Sequence, residues 1–288
     1  MSITIGSGSQ KILIKGSEGL LKKISASGFG AGYIPNFSLI NEQANPELSL
    51  SLSPGPYDLK NDYPEFYFSF PENEVSAEDI FTIIDYCLEY DRQLHGVYTV
   101  HGSACAKNDK GVLIFGPVSG LGKTSLMLEL CKNHGFVPLG DEKILVNDNP
   151  EIVGGVTRLS LNKPQISRIM GAAMESYDMA QGDLLPAYKK SVKLSAVVIP
   201  FISPGSHFDS EKLTSAEANW HLYEEVSRKI RGTSRRVSDF SHPVVSLDTQ
   251  PLSARRSEAV KKISSDIDFF RIRGDLASVA KEIDRLVS

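Results

Sequence analysis

Apolar and polar residues alternate or cluster in short runs over the first 75 positions of the chain. Runs of this length, bounded by turn-forming residues, are typical of β-strands. A glycine-rich stretch at 28–32 and a Pro-Gly-Pro stretch at 54–56 separate some of these runs. The pattern therefore predicts an antiparallel β module whose strands lie at residues 3–5, 11–14, 48–52 and 66–70.

A helical pattern begins near Ser76. Ser76 and Asp79 have the spacing of a capping box, with Asp in place of the more usual Glu or Gln. The apolar positions that follow recur at the spacing of one helix face, namely Ile80, Ile83, Ile84, Cys87 and Leu88. We predict a core-packing helix that ends before Gly96 and links the two halves of the chain.

Strand and helix patterns are mixed beyond residue 96, which predicts an α/β fold. The predicted strands lie at 97–106, 112–115, 136–139, 144–146, 194–199 and 269–272. The predicted helices lie at 124–134, 164–177, 215–230, 254–263 and 276–287. Trp220 falls in an apolar helical stripe and is predicted to be a core residue. We divide the chain into a β-rich N-terminal module with its bridging helix, 1–95, and a second domain, 96–288.

Composition excludes several classes of protein. The 288 residues include 31 Lys and Arg against 35 Asp and Glu, 41% are hydrophobic and 23% are charged. This is the composition of a globular chain, and wholesale disorder is excluded. No basic tract runs through the chain, which argues against a dedicated nucleic-acid binder. Any function that depends on charge must therefore be local.

The cysteines and the apolar runs indicate a cellular setting. Cys87, Cys105 and Cys131 are far apart and show no CxxC spacing, which fits neither a disulfide scaffold nor a zinc site. The N-terminus has no signal-peptide pattern, and the longest apolar runs, such as 196–199, are only strand-sized. We expect a cytoplasmic protein without a membrane segment.

The sharpest motif is the stretch 116–124, Gly-Pro-Val-Ser-Gly-Leu-Gly-Lys-Thr, between a predicted strand and a predicted helix. This is the context of a P-loop. Glycines at 120 and 122 allow backbone N–H groups to turn towards a phosphate, and the following helix adds its N-terminal dipole. Lys123 can neutralise β/γ-phosphate charge, and the Thr124 hydroxyl can bind Mg²⁺. The alternative is a glycine-rich turn with a chance Lys-Thr pair.

The loop departs from the strict P-loop spacing at one point. The motif requires Gly five residues before Gly122, where this chain has Pro117, and the upstream glycine is Gly116. Val118 has the character of an inserted residue. The segment from Ser119 to Thr124 is intact, so we retain the P-loop prediction.

Asp141 and Glu142 follow a short predicted strand, 18 residues beyond Lys123. A phosphoryl-transfer site needs one carboxylate near Mg²⁺ and one to accept the proton of the attacking hydroxyl. Two adjacent acids at a strand end can divide these roles, and the alternative is a solvated turn. His101 lies on the strand before the P-loop strand. Taken alone, it is more often a packed residue than a catalytic one.

These motifs together resemble the catalytic core of the HPr kinase/phosphorylase family and its wider relatives. The resemblance rests on His101-Gly102, the strand 111–116, the P-loop core 119–124 and Gly140-Asp141-Glu142. It covers roughly residues 97–147. It implies the compact P-loop fold shared with phosphoenolpyruvate carboxykinases, Mg²⁺ and ATP as cofactors, and transfer of the γ-phosphoryl group to a hydroxyl. The family is also oligomeric, which implies a homo-oligomer.

The resemblance implies a role for each matching residue. Lys123 would bind phosphates, Thr124 would bind Mg²⁺, and Asp141 would be the general base close to the metal. Glu142 would support the metal, and His101 would lie beside the phosphates. The implied nucleotide-binding residues are Gly116, Ser119, Gly120, Leu121, Gly122, Lys123, Thr124 and Ser125.

Two departures from the family pattern bear on the metal and on the substrate. The family carries Asp-Asp where this chain has Asp141-Glu142, and the extra methylene displaces the second carboxylate by about 1.5 Å, which alters the geometry at the metal. The downstream Glu-x-Arg-Gly signature of the bifunctional enzymes is missing from the stretch 152–158. Its absence argues against HPr as the substrate and against dephosphorylation, and it favours a related kinase with another acceptor, such as a serine of a biosynthetic peptide or a small hydroxylated metabolite.

A basic cluster at 228–236 is a further candidate. An arginine can stabilise the charge that develops during phosphoryl transfer, and we select Arg235 as the candidate. A solvated helix end and loop is an equally good interpretation of this cluster.

We expect an ATP-dependent kinase that acts on a serine-type hydroxyl of a protein, peptide or small metabolite. Two alternatives remain open. One is a P-loop NTPase that uses Asp141 and Glu142 to hold the metal and activate water, without a phosphorylated product. The other is a nucleotide-binding interaction protein that docks through its N-terminal module.

Overall fold

The computed structural model describes residues 1–40, 46–71, 74–118, 120–160, 176–179, 191–232, 236–237 and 242–288. The chain divides into two compact units. The first contains residues 1–98 and 226–256, and the second contains residues 99–225 and 257–288. The first break lies close to the boundary predicted after residue 95. The segment 226–256 lies in the first unit, although the sequence division had placed it in the second domain.

Short strands and seven helices make up the described parts of the chain. The helices are α1 (Glu18–Ala26), α2 (Phe29–Tyr33), α3 (Ala77–Leu94), α4 (Lys123–Asn133), α5 (Ser215–Arg228), α6 (Gln250–Asp266) and α7 (Leu276–Val287). The strands of the first 100 residues are β1 (Ser2–Ser7), β2 (Gln10–Lys15), β3 (Phe37–Ile40), β4 (Leu48–Pro54), β5 (Asp58–Asp62), β6 (Glu65–Phe70) and β7 (Val97–Val100). The later strands are β8 (Gly102–Lys107), β9 (Lys110–Phe115), β10 (Val137–Asn147), β11 (Glu151–Val156), β12 (Arg158–Ser160), β13 (Ser176–Asp178), β14 (Val192–Ile202), β15 (Asp209–Lys212), β16 (Arg236–Val237), β17 (His242–Pro243) and β18 (Asp268–Gly274).

The sheet of the first unit is mixed, and the prediction of an antiparallel module is wrong in this respect. Its strand order is β3-β1-β2-β4-β6-β5. The β2–β4 and β4–β6 pairs are parallel. Parallel neighbours need a crossover connection, and α1 and α2 lie in the chain between β2 and β4. The stretch 28–32, predicted to be a turn, instead forms most of α2.

Helix α3 begins and packs as predicted. The Ser76 side chain accepts a hydrogen bond from the backbone of Asp79, and the Asp79 carboxylate accepts one from the backbone of Ser76. This reciprocal pair satisfies N–H groups that the first helical turn cannot satisfy itself. The predicted stripe is fully buried, and it joins apolar residues of the sheet in one core that includes Ile14, Leu50 and Phe66.

The second unit is built on an eight-stranded mixed sheet, which agrees with the predicted α/β class. The path through the sheet is β11-β10-β8-β9-β14-β18-β15, and β7 pairs with β10. The β9–β14 and β14–β18 pairs are parallel, so these three strands end at the same edge. Helices α4 and α7 cover one face through a core that includes Leu126, Leu130 and Ile283.

Several predicted elements of the second domain differ from the observed ones. The run 97–106 forms two strands that break at His101, and the runs 136–139 and 144–146 belong to the single strand β10. Of the helix predicted at 164–177, residues 164–175 lie outside the described chain, and its last two positions fall in β13. The other predicted helices and strands are present, several of them longer than predicted.

Trp220 is 62% exposed, so its predicted place in the core is wrong. The buried residues of α5 include Ala218, Leu222 and Val226, which repeat at intervals of four. Each helical residue advances about 100° around the axis, so Trp220 lies on the opposite side from Ala218. Within the described parts of the chain, no helix has the length and apolar character needed to cross a membrane.

Candidate functional site

The described backbone between β9 and α4 turns at two glycines. Gly120 and Gly122 have φ values of 86° and 87°, in the left-handed region that favours glycine. Gly122 is the N-cap residue of α4 and has no side chain with which to cap the helix end. The N-terminal N–H groups of a helix, together with its dipole, attract anions. Gly120 and Gly122 therefore lie at a helix end that favours anions.

Two glycines of the loop are also required by packing. A Cβ atom at Gly122 would lie 2.6 Å from Ile202 at the end of β14. A Cβ atom at Gly116 would lie 2.5 Å from Leu121, which covers the start of the loop. The backbone N–H of Ile202 donates to the Leu121 carbonyl at 3.4 Å. The loop is thus attached to the carboxyl edge of the parallel strands, where α/β folds bind ligands.

Lys123 is folded into the loop. Its side chain is buried, and Nζ donates to the carbonyl oxygen of Val118 at 3.1 Å. Val118, the extra residue of the loop, turns its own side chain outwards and is 56% exposed. The ammonium group therefore connects the first turn of α4 to the backbone of the preceding loop. Ser119, predicted to bind nucleotide, lies outside the described residues, and Ser125 is partly buried on α4.

The Thr124 hydroxyl meets the carboxylate of Asp141. It donates to the two carboxylate oxygens over distances of 3.1 and 3.0 Å. The Ser103 hydroxyl, on β8, donates a short hydrogen bond to the same carboxylate. The structure therefore brings together Thr124 and Asp141, which the motif pattern had paired as metal-site residues, and adds Ser103.

Burial dominates the electrostatics of Asp141. The residue is 4% exposed. Loss of hydration raises its pKa from 3.8 to about 6, and the nearby Glu142 charge adds to the rise. Hydrogen bonds from Ser103 and Thr124 stabilise the ionised form and limit the shift. A carboxyl with a pKa near neutrality can change protonation during a reaction, and a bound cation would favour its ionised form.

The two consecutive acids lie at a β-bulge in β10. Asp141 pairs with Val156 and Ile144 pairs with Gly155, so two residues of β10 have no partner in β11. Glu142, the first of these two, has a φ of 62°. At the bulge the strands approach so closely that a Cβ atom at Gly140 would lie 2.8 Å from the Cα of Gly155. The bulge directs two consecutive acids into different surroundings.

Glu142 lies beside His101. The His101 Nδ1 atom is 2.9 Å from the backbone carbonyl oxygen of Glu142 and 3.5 Å from its carboxylate. The carboxylate side chain is 53% exposed and the imidazole 24% exposed. With its proton on Nδ1, the imidazole donates to the Glu142 carbonyl. The predicted residues His101, Thr124, Asp141 and Glu142 therefore form a continuous cluster beside the loop.

Two residues of this cluster were missed from the sequence. Ser103 lies two positions beyond His101, and its period-two spacing on a strand was a signal that could have identified it. Glu225 on α5 accepts a hydrogen bond from the backbone N–H of His101 at 2.9 Å. It lies 124 positions away in the chain and carried no local signal. Arg235, predicted to be a catalytic cation, lies outside the described residues.

The cluster fits Mg²⁺ that is shared with a phosphate. Mg²⁺ in nucleotide sites keeps waters and takes few protein ligands, usually one or two carboxylates together with substrate phosphates. Thr124 and Asp141 supply a hydroxyl and a carboxylate in direct contact. Among the described residues there is no group of three or more His, Cys, Asp or Glu arranged to hold a metal ion alone. A metal at this site would therefore depend on oxygens from its ligand.

No protein-family model matches this chain, and no curated protein matches it.

Proposed function

We propose that the chain is an ATP-dependent kinase that transfers the γ-phosphoryl group to a serine-type hydroxyl of a protein, peptide or small metabolite. The observation that carries this proposal is the contact of the Thr124 hydroxyl with the buried Asp141 carboxylate, at the mouth of a loop that contains Lys123. A loop with two left-handed glycines can bind phosphates without further help. The added acid cluster supplies the groups that phosphoryl transfer requires.

The phosphates would be held by the backbone N–H groups of residues 120–124 and by Lys123. Nζ of Lys123 would exchange its hydrogen bond to the Val118 carbonyl for phosphate oxygens. Mg²⁺ would be held by Thr124 and Asp141, and when bound it would neutralise charge on the phosphate oxygens. The fold implied by the resemblance, that of HPr kinases and phosphoenolpyruvate carboxykinases, is part of this proposal.

The contacts favour a division of labour between the acids that differs from the one the resemblance implies. Asp141 is buried on Thr124, which suits a role at the metal, whereas Glu142 is exposed beside His101 and can be reached by an acceptor. In our proposal Glu142 takes the proton as the acceptor O–H bond breaks. The acceptor oxygen forms a bond to γ-phosphorus, and the electron pair of the breaking P–O bond stays with ADP.

The exposure of Glu142 also supports a second candidate function. A carboxylate that is 53% exposed can orient water as readily as a hydroxyl. In that case the protein is an NTPase that releases phosphate and forms no phosphorylated product. The two functions share Lys123, Thr124 and Asp141 and differ only in the nucleophile.

The experiment that separates these functions follows the label from γ-labelled ATP. The full-length protein is incubated with ATP, Mg²⁺ and a host-cell extract separated into protein and metabolite fractions, with the Lys123→Ala variant as control. Label transferred to an acceptor by the wild type alone supports the kinase. Label found only as inorganic phosphate supports the NTPase. Retained ATP binding with no turnover contradicts both and leaves a nucleotide-binding interaction protein.

A further inference from the structure

His101 lies at a break between two strands. Strand β7 ends at Val100 and β8 begins at Gly102, so the chain bends at His101. The bend brings Gly102 against β9, because a Cβ atom there would lie 2.5 Å from the backbone oxygen of Ile114. His101 therefore lies at a point where the regular strand is interrupted.

A buried side chain of α5 accepts a hydrogen bond from this backbone. Glu225 is 3% exposed, and its Oε1 accepts the His101 N–H at 2.9 Å. A hydrogen bond to an ionised acceptor is about twice as strong as a neutral one. An acidic side chain is rarely buried unless it makes such interactions. The contact lies one residue from Gly102, at the bend itself.

The imidazole of His101 connects this backbone contact to the acid pair. The backbone N–H of His101 donates to Glu225. The Nδ1 atom of the same residue lies 2.9 Å from the carbonyl oxygen of Glu142. Glu142 itself occupies a left-handed backbone conformation that its neighbours must maintain. Glu225, His101 and Glu142 therefore form a series of contacts from a buried helix position to an exposed carboxylate.

We propose that Glu225 is a positioning residue for the active site: it holds the backbone of His101 so that the imidazole orients Glu142. This inference rests on the proposed function. The contact that gives Glu225 this role is made to the backbone of His101. Its removal is expected to act on turnover and to leave nucleotide affinity intact.

The test compares Glu225→Ala, which removes the acceptor, with Glu225→Gln, which keeps a carbonyl oxygen that can accept the same N–H. Glu224→Ala is the matched control, because Glu224 is the exposed neighbour on α5. Glu225→Ala is expected to lower kcat about 10- to 100-fold with KM for ATP unchanged. Glu225→Gln is expected to recover most of the activity, and the control should equal the wild type.

A second measurement keeps the inference independent of activity. The chain has six histidines, so ¹⁵N-histidine labelling yields six amide resonances, and the His101→Gln variant identifies the one from His101. The His101 amide proton should shift upfield in Glu225→Ala and remain near its wild-type position in Glu225→Gln. An unmoved resonance in folded Glu225→Ala, or equal losses of kcat in both variants, overturns the inference. If the wild type shows no turnover, the proposed function fails, and the amide shift alone decides whether Glu225 holds His101.

Discussion

The hydroxyl of Thr124 lies 3.0 Å from one carboxylate oxygen of Asp141, where the first turn of α4 meets strand β10. The two residues are 17 positions apart, and each belongs to a separate motif in the sequence. Their contact joins the start of α4 to the acid pair of β10.

Removal of the Lys123 ammonium group should weaken nucleotide binding. Hydrogen bonds to charged groups contribute about 1.5–3 kcal/mol, so Lys123→Ala is expected to bind ATP about 10- to 100-fold more weakly in the presence of Mg²⁺. Calorimetric titration with a non-hydrolysable ATP analogue provides the measurement. Lys132→Ala is the matched control, since Lys132 is an exposed residue of the same helix. Equal affinity in the two variants would show that the loop does not bind the nucleotide phosphates.

Substitution of Glu142 should separate turnover from binding. Glu142→Gln keeps the size of the side chain but cannot accept a proton, so we expect kcat to fall about 100-fold, within the usual contribution of general base catalysis. Affinity for the Mg²⁺–nucleotide complex should stay within about threefold of the wild-type value, a difference of only about 0.6 kcal/mol. The opposite pattern, with lost affinity and retained kcat, would assign Glu142 to the metal and return the base role to Asp141.

The raised pKa of Asp141 predicts a pH-dependent stability. Because the folded-state pKa is about 6 and the ordinary value is 3.8, the folded protein binds the proton more tightly, and stability falls as pH rises between these values. The whole effect is about 3 kcal/mol and is complete above pH ~6. Asp141→Asn cannot ionise, so it should gain stability relative to the wild type as the pH is raised from 4 to 7.

Urea denaturation at several pH values measures this difference. The exposed Asp266→Asn variant, which also removes one carboxylate, is the control. If the difference in unfolding free energy between Asp141→Asn and the wild type does not grow with pH, the raised pKa of Asp141 is contradicted. Turnover by Asp141→Asn should be lost at every pH, because an amide cannot replace the carboxylate at the metal.

The two left-handed glycines of the loop should differ in their tolerance of alanine. Both have nearly the same φ, and a left-handed conformation costs a non-glycine residue about 1–2 kcal/mol. A Cβ atom at Gly120 meets nothing within 4 Å, whereas one at Gly122 would lie 2.6 Å from Ile202. Gly122→Ala is therefore expected to destabilise the protein by about 1–3 kcal/mol more than Gly120→Ala.

The free energies of unfolding of these two variants provide the comparison. Gly122→Ala combined with Ile202→Ala should lose less stability than the sum of the two single variants, since Ile202→Ala removes the atoms that the new methyl group would meet. If Gly120→Ala and Gly122→Ala are equally destabilised, the packing of the loop against β14 is not as described.

Local signals in the sequence were sufficient for much of this molecule. The capping box at Ser76 and the apolar stripe after it define α3, because a helix terminus and a 3.6-residue period are encoded by neighbouring residues. The strand–loop–helix context of the P-loop, the left-handed glycines and the α/β class follow from the same kind of information. The acids were identified at the end of a short strand, whereas they lie within β10 at its bulge.

Only the tertiary structure decided how these pieces meet. The β-bulge at Asp141 and Glu142 depends on the pairing of β10 with β11, where Gly140 and Gly155 lie close together. The mixed order of the first sheet and the return of residues 226–256 to the first unit depend on pairings between distant segments. Glu225 reaches His101 across 124 positions. The sequence by itself determined which chemical groups are present and the local structure around them, because neighbours along the chain encode both. Pairing and burial of distant residues decided which acid contacts Thr124 and which faces solvent.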